Sequence, residues 1–250
     1  VEGAVDAALD NNDRVAQSVV LQNADVTLQI DEATTGTGSF AAATGGATLN
    51  AALTGDNTVV LTGDITDVID TIATTGEGSI DLDVTAQIAD IDWDVTLGAG
   101  DDRLAIEGTE LNADDSIDMG EGDDVLALAG LNTAGDLDTL VLSGVSNVEG
   151  LEFIANAALT DGGSETLSLG SFDNVTFGGT LTSAAATTGD STLVLDTDAA
   201  ALEANFEGNV GSAVANEGVN LTVSEEVESL TLNAESSDVV LNGLTNAAAA

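Results

Sequence analysis

Two short segments of this chain hold residues whose types and spacing suit metal chemistry. Gly98-Ala99-Gly100-Asp101-Asp102-Arg103-Leu104 recurs as Gly120-Glu121-Gly122-Asp123-Asp124-Val125-Leu126, a step of 22 residues. Glycine at alternate positions lets the backbone take positive φ and turn its carbonyls inward, and the aspartates that follow add hard carboxylate oxygens. Ca²⁺ takes about six to eight oxygen ligands, more than one such turn supplies, so the spacing points to an ion held between two stacked turns. Asp102 and Asp124 are the leading carboxylates, with Gly98, Gly100, Asp101, Gly120, Gly122 and Asp123 completing the candidate set. The flanks keep the same step, Leu97 mapping to Met119 and Ile106 to Leu128. Asp92, Asp114 and Asp136 also recur in step, joined by Asp115 and Asp138, and form a second acidic edge that reads first as solvated surface.

The remaining chemistry is narrow. With no His and no Cys, the chain has no imidazole base, no thiolate metal site, no Ser-His pair and no disulfide framework. Asp81 with Asp83, and Asp92 with Asp94, sit two apart on strands and could form a glycosidase-like carboxylate pair. The alternation with Ile80, Leu82, Trp93 and Val95 instead reads as a polar face turned to solvent, and no catalytic residue is assigned.

The two segments resemble the RTX nonapeptide, Gly-Gly-x-Gly-x-Asp-x-aliphatic-x. Leu97 to Ala105 and Met119 to Ala127 match at every defined position but the first, where Leu97 and Met119 stand in place of glycine. The resemblance implies a β-roll with Ca²⁺ held by the carbonyls at the glycine positions and by the repeat aspartate. In this sequence those are Gly98, Gly100 and Asp102, then Gly120, Gly122 and Asp124. The Thr/Asn/Ala-rich strands, and the segment from Leu142 to Phe153, look more like Caulobacter-type bacterial surface-layer proteins than like RTX toxins or proteases. That likeness implies type I secretion, a Ca²⁺-dependent lattice and little enzymatic chemistry.

The elements that must position these turns are strands. Short alternating runs of β-branched and aliphatic residues, cut by Gly, Asp, Asn or Thr, recur almost throughout. The clearest are 26–30, 58–61, 79–84, 94–97, 103–106, 116–119, 125–128 and 139–142, then 151–154, 166–169, 174–177, 191–195, 219–223, 229–232 and 238–241. Ala199 to Phe206 is the one stretch with helical character. Two strands and two turns per 22 residues suit one coil of a flattened, right-handed parallel β-solenoid, so the expected fold is all-β and elongated. Residues 1–22 are expected as an N-terminal cap or exchanged segment, 23–243 as a continuous solenoid with its RTX-like coils at 97–142, and 244–250 as a C-terminal tail. The chain opens at Val1 without Met, which reads as a processed product or a fragment.

Composition bounds the partners. The 45 acidic residues against 2 basic ones give a formal charge of -43, which excludes nucleic acid and anionic membrane surfaces. An apolar fraction of 43% excludes a disordered polyanion, while 2% aromatics imply a thin core of Val, Leu, Ile and Ala. No apolar run reaches the length of a transmembrane helix. The expected protein is therefore an extracellular, Ca²⁺-stabilised structural solenoid that assembles with itself into a surface layer or filament, in contact with cell-surface polysaccharide where it coats a cell. Two alternatives stay open: a passive module of a larger adhesin or secreted enzyme, and a halophile surface protein stabilised by salt.

Overall fold

The computed structural model describes residues 5–10, 17–22, 25–31, 47–62, 69–85, 92–159, 163–183, 191–212, 219–234 and 241–246. They form two units, one comprising 1–126 with 143–148, the other 127–142 with 149–250. Both are built of parallel strands stacked as a β-solenoid, as expected.

In the first unit the strands are β1 (Val5–Asp10), β2 (Gln17–Gln22), β3 (Asp25–Asp31), β4 (Ala47–Thr54), β5 (Asn57–Thr62), β6 (Ile69–Gly76), β7 (Ile80–Asp83), β8 (Asp94–Thr96), β9 (Arg103–Glu107) and β10 (Ser116–Asp118). β11 (Val125–Ala129) carries the chain into the second unit, and β12 (Val145–Ser146) returns to the first. Odd-numbered strands stack in one sheet, with β1 on β3, β3 on β5, β5 on β7 and β7 on β9, all parallel. Even-numbered strands stack in the other, in the order β12-β10-β8-β6-β4-β2. Each coil is thus two-sided. Its interior is a column of small aliphatics: Leu82, Leu104 and Leu126 are each fully buried, and Val95 and Ile117, paired across β8 and β10, are almost so. Each such side chain contributes about 1.5–3 kcal/mol on leaving water.

The second unit is three-sided. β13 (Gly150–Phe153), β16 (Asn174–Phe177), β19 (Ala201–Phe206) and β22 (Ser229–Ala234) stack in parallel on one side. β14 (Ala157–Leu159), β17 (Leu181–Ser183) and β20 (Val210–Ser212) make the second side. β15 (Ser164–Gly170), β18 (Ser191–Thr197), β21 (Val219–Val223) and β23 (Leu241–Asn246) make the third. The wider interior holds a ladder of aromatics: Phe153, Phe177 and Phe206 are in register and buried, their rings stacked with centroids 4.9 and 5.3 Å apart. A core poor in aromatics therefore concentrates three of its five Phe in one column.

Two expected elements are corrected. Ala199 to Phe206 is no helix: Leu202, Ala204 and Phe206 are buried at every second position of strand β19. Parallel pairing with β16 and β22 outweighs the helix propensity of its alanines. The strand expected at 139–142 is replaced by one helical turn, α1 (Asp136–Thr139). Gly135 enters it at φ 94°, Asp136 Oδ2 accepts the Thr133 amide at 2.7 Å, and the Leu137 side chain is buried beneath. The expected strand at 238–241 lies outside the described residues except for Leu241, which opens β23.

Candidate metal site

The glycine-aspartate turns of the sequence lie one above another at one edge of the two-sided coil, between the strands of the even and odd sheets. Their glycines make the stacking possible. A Cβ on Gly120 would sit 1.9 Å from the Gly98 carbonyl oxygen, and one on Gly122 would sit 2.2 Å from that of Gly100. Gly120 and Gly122 also have φ of 98° and 156°, so both space and conformation demand glycine there. Gly98 and Gly100 lie outside the positive-φ region, and there close approach alone excludes a side chain. Backbone bonds tie the turns together, the Glu121 amide donating to Gly98 O at 3.1 Å and the Val125 amide to Asp102 O at 2.8 Å.

The four candidate aspartates divide into two kinds. Asp102 and Asp124 are buried to 1% exposure, whereas Asp101 and Asp123 are exposed. Each buried carboxylate reaches back one coil of 22 residues: Asp102 Oδ1 accepts the Ile80 amide at 2.8 Å and Asp124 Oδ1 accepts the Asp102 amide at 2.7 Å. Such charge-assisted bonds to buried amides are among the stronger hydrogen bonds in a protein. Outside, Asp101 Oδ1 accepts the Asp123 amide at 3.0 Å, a third link over the same step.

The electrostatics of Asp102 are those of a charge short of compensation. Burial pushes its carboxyl up to about 6; the Ile80 amide opposes the rise, the charges of Asp124 and Asp101 add to it, and the Gly98 amide opposes it. Its second oxygen, Oδ2, is buried and has no hydrogen-bond partner. An orphaned carboxylate oxygen between stacked turns lined by glycine carbonyls fits a hard cation by the chemistry of its donors. Among the described residues, however, no three acidic side chains converge, so carbonyls and water would have to complete the shell of any ion.

The second acidic edge also divides. Asp92 and Asp114 are exposed, but Asp115 is buried to 5% and clamped, its Oδ1 accepting the Trp93 amide at 2.8 Å and its Oδ2 the Asn112 amide at 2.7 Å. Burial raises its carboxyl, the Asn112 and Trp93 amides oppose the rise, and Asp92 and Asp114 add to it. Both its oxygens are satisfied by the chain, so this edge is stitched by protein groups. In the second unit, Asp136 caps α1, and Asp138 Oδ1 accepts the Thr166 amide at 2.5 Å. The paired acids considered for hydrolysis stand beside buried Ile80, Leu82, Trp93 and Val95: Asp81 is exposed and bridges Arg103 at 3.1 Å, Asp83 Oδ1 accepts the Thr85 amide, and Asp94 is exposed.

Sequence reasoning missed the turn below. Gly76-Glu77-Gly78-Ser79-Ile80-Asp81-Leu82 stands 22 residues before the first motif, in register with it, Asp81 pairing with Arg103 and Leu82 with Leu104. The paired glycines and the aliphatic position were legible, but Ile80 replaces the motif aspartate and hid the repeat. Missed too was Asn57, buried to 3%, which pairs with Ile80 and donates through Nδ2 to Gly55 O at 2.9 Å and Ser79 O at 3.0 Å. No helix among the described residues is long and apolar enough to cross a membrane. Comparison of the chain with protein-family models, with curated proteins and with solved structures finds no match.

Proposed function

We propose that this chain is a calcium-stabilised structural solenoid that works outside the cell and assembles with further copies of itself into a surface layer or filament. The observation that carries the reading is Asp102: a carboxylate buried to 1%, held between glycine-stacked turns, with one oxygen bonded to an amide and the other to nothing. A hard divalent cation there would neutralise the buried charge, with Asp102, Asp124 and the carbonyls of the glycine turns as its holders. The charge of -43 adds the second part of the reading. At low Ca²⁺ the copies repel one another; at the millimolar divalent concentrations found outside cells the repulsion falls, and strand edges pair with a neighbouring copy.

The test is circular dichroism and light scattering on the purified chain with millimolar Ca²⁺ and after EGTA. The reading expects β-structure and large particles with the ion, and loss of both on chelation. Spectra and particle size indifferent to chelation would overturn it. Stability in molar KCl with chelator present would favour the salt-stabilised alternative, to which a high acidic content with almost no Lys also belongs.

A further inference from the structure

The motif in the sequence supports one ion, placed between the Gly98–Asp102 and Gly120–Asp124 turns. The side chains in the structure are arranged differently. Asp102 does not direct its bonded oxygen toward the following turn; it reaches back to the Ile80 amide, as Asp124 reaches back to the amide of Asp102. Each buried carboxylate therefore serves the gap before its own turn. The gap before Asp102 is closed on its other side by the turn at 76–80, which lacks the motif aspartate. That earlier turn has the same cradle. A Cβ on Gly98 would meet Gly76 O at 2.9 Å, and one on Gly100 would meet Gly78 O at 2.7 Å, so the two turns lie as close as those of the motif. The Ala99 amide donates to Gly76 O at 2.9 Å, the counterpart of the Glu121 bond to Gly98 O one coil on. Into this gap points a carboxylate buried to 1%, whose Oδ2 has no hydrogen-bond partner.

We propose that the cation-binding stack begins one coil before the repeated motif, and that the gap between the 76–80 and 98–102 turns is a site of its own for a hard divalent cation, with Asp102 as its carboxylate. The inference rests on the reading of these turns as calcium sites and extends it from one gap to two. The two gaps differ in charge. Around Asp124 stand the further carboxylates Asp101 and Asp123, whereas the 76–80 turn presents Ser79 and Ile80 at the positions of Asp101 and Asp102. Affinity for Ca²⁺ rises with the number of charged ligands, so the earlier gap is the weaker site.

Calcium titration calorimetry and equilibrium dialysis on the intact chain, with Ca²⁺ alone as the probe, separate the cases. Asp102→Asn keeps an oxygen for the Ile80 amide and removes the charge; circular dichroism verifies that the variant is folded. It should lower the saturating number of ions by one relative to the parent, Asp124→Asn should lower it by one, and the double variant by two. Ser79→Asp adds a carboxylate at the rim of the earlier gap and should tighten the weaker ion by about five- to tenfold. A double variant that loses only one ion, or Ser79→Asp with unchanged affinity, overturns the second site while leaving the motif site standing. Should Asp102→Asn fail to fold, the Ser79→Asp result decides by itself. A parent that binds no Ca²⁺ overturns the underlying reading of the turns as well.

Discussion

The two units solve the same problem, stacking parallel coils, with opposite materials. In the first, coils are two-sided, the step is 22 residues, and the turns are stitched by buried carboxylates: Asp102 and Asp124 at one edge, Asp115 at the other. In the second, coils are three-sided, the steps vary among 24, 28 and 29 residues, and the stitching is largely neutral. There Ser224 Oγ donates to Thr197 O at 2.7 Å, Thr197 Oγ1 to Phe172 O at 2.8 Å, and Asn156 Oδ1 accepts the Thr180 amide. Asn233 and Asn205 continue an amide ladder on the outer face, Asn233 Nδ2 donating to Asn205 Oδ1 at 2.7 Å. The aromatic column belongs to the second unit alone. A flattened coil closes by bringing backbones together and needs glycine; a triangular coil leaves an interior that must be filled, and Phe fills it. Carboxylate stitching leaves a charge that a cation or a proton can cancel. Hydroxyl and amide stitching leaves none, so ion and pH sensitivity should be confined to the first unit.

The largest effect should come from breaking the backbone stack. Gly120→Ala forces a Cβ against Gly98 O and should destabilise the first unit by more than about 4 kcal/mol in urea unfolding. Gly170→Ala in the second unit, at φ 57° but with nothing within 4 Å of its Cβ, should cost only about 1 kcal/mol. Equal losses would mean that close stacking is not what distinguishes the first unit. Next, Phe177→Ala should cost about 3–5 kcal/mol, with amide exchange quickening in β13, β16 and β19 and unchanged in the glycine turns.

Acid sharpens the comparison further. The Asp102 carboxyl stands at about 6 in the folded chain against an ordinary 3.8, so the folded form binds its proton more tightly than the unfolded one. The cost of its charge is present in full above about pH 6 and is relieved as pH falls from there toward 4. In EGTA the first unit should therefore gain stability between pH 7 and pH 4.5, by an order of 2–3 kcal/mol. Asp115, raised in the same direction, adds to the gain. Asp102→Asn should flatten that slope, and a slope unchanged in the variant would place the proton elsewhere. The smallest effect should be that of Arg103→Ala. Its bridge to Asp81 joins side chains 31% and 50% exposed, so removal should cost less than about 0.5 kcal/mol in physiological salt.

How much of this the sequence revealed follows the same division. The 22-residue step was legible because the two-sided coil tolerates little variation in length, and Gly98, Gly100, Gly120 and Gly122 recur in phase. In the second unit the turns differ in length from coil to coil, so Phe153, Phe177 and Phe206 stack in space without an even period in the chain. The strand at 201–206 shows the limit of local propensity, since its alanines suit a helix and only the neighbours on both sides make it a strand. The buried role of Asp115 was hidden for a different reason. It stands next to exposed Asp114, and spacing could not tell which of the two faces inward. Nor could it show that Asp102 reaches back to Ile80, a residue whose apolar side chain gives no hint of the amide it offers.

Amide hydrogen exchange with and without Ca²⁺ tests the central claim most directly, because it reads both units in one sample. Ca²⁺ should slow exchange at the turn amides of Ile80, Ala99, Asp102, Glu121 and Val125, and leave the amides of the phenylalanine strands β13, β16 and β19 as they are in EGTA. Turn amides equally protected in EGTA and in Ca²⁺ would contradict the account: the carboxylate stitches would then hold the first unit unaided, and the buried charge of Asp102 would have no cation to meet.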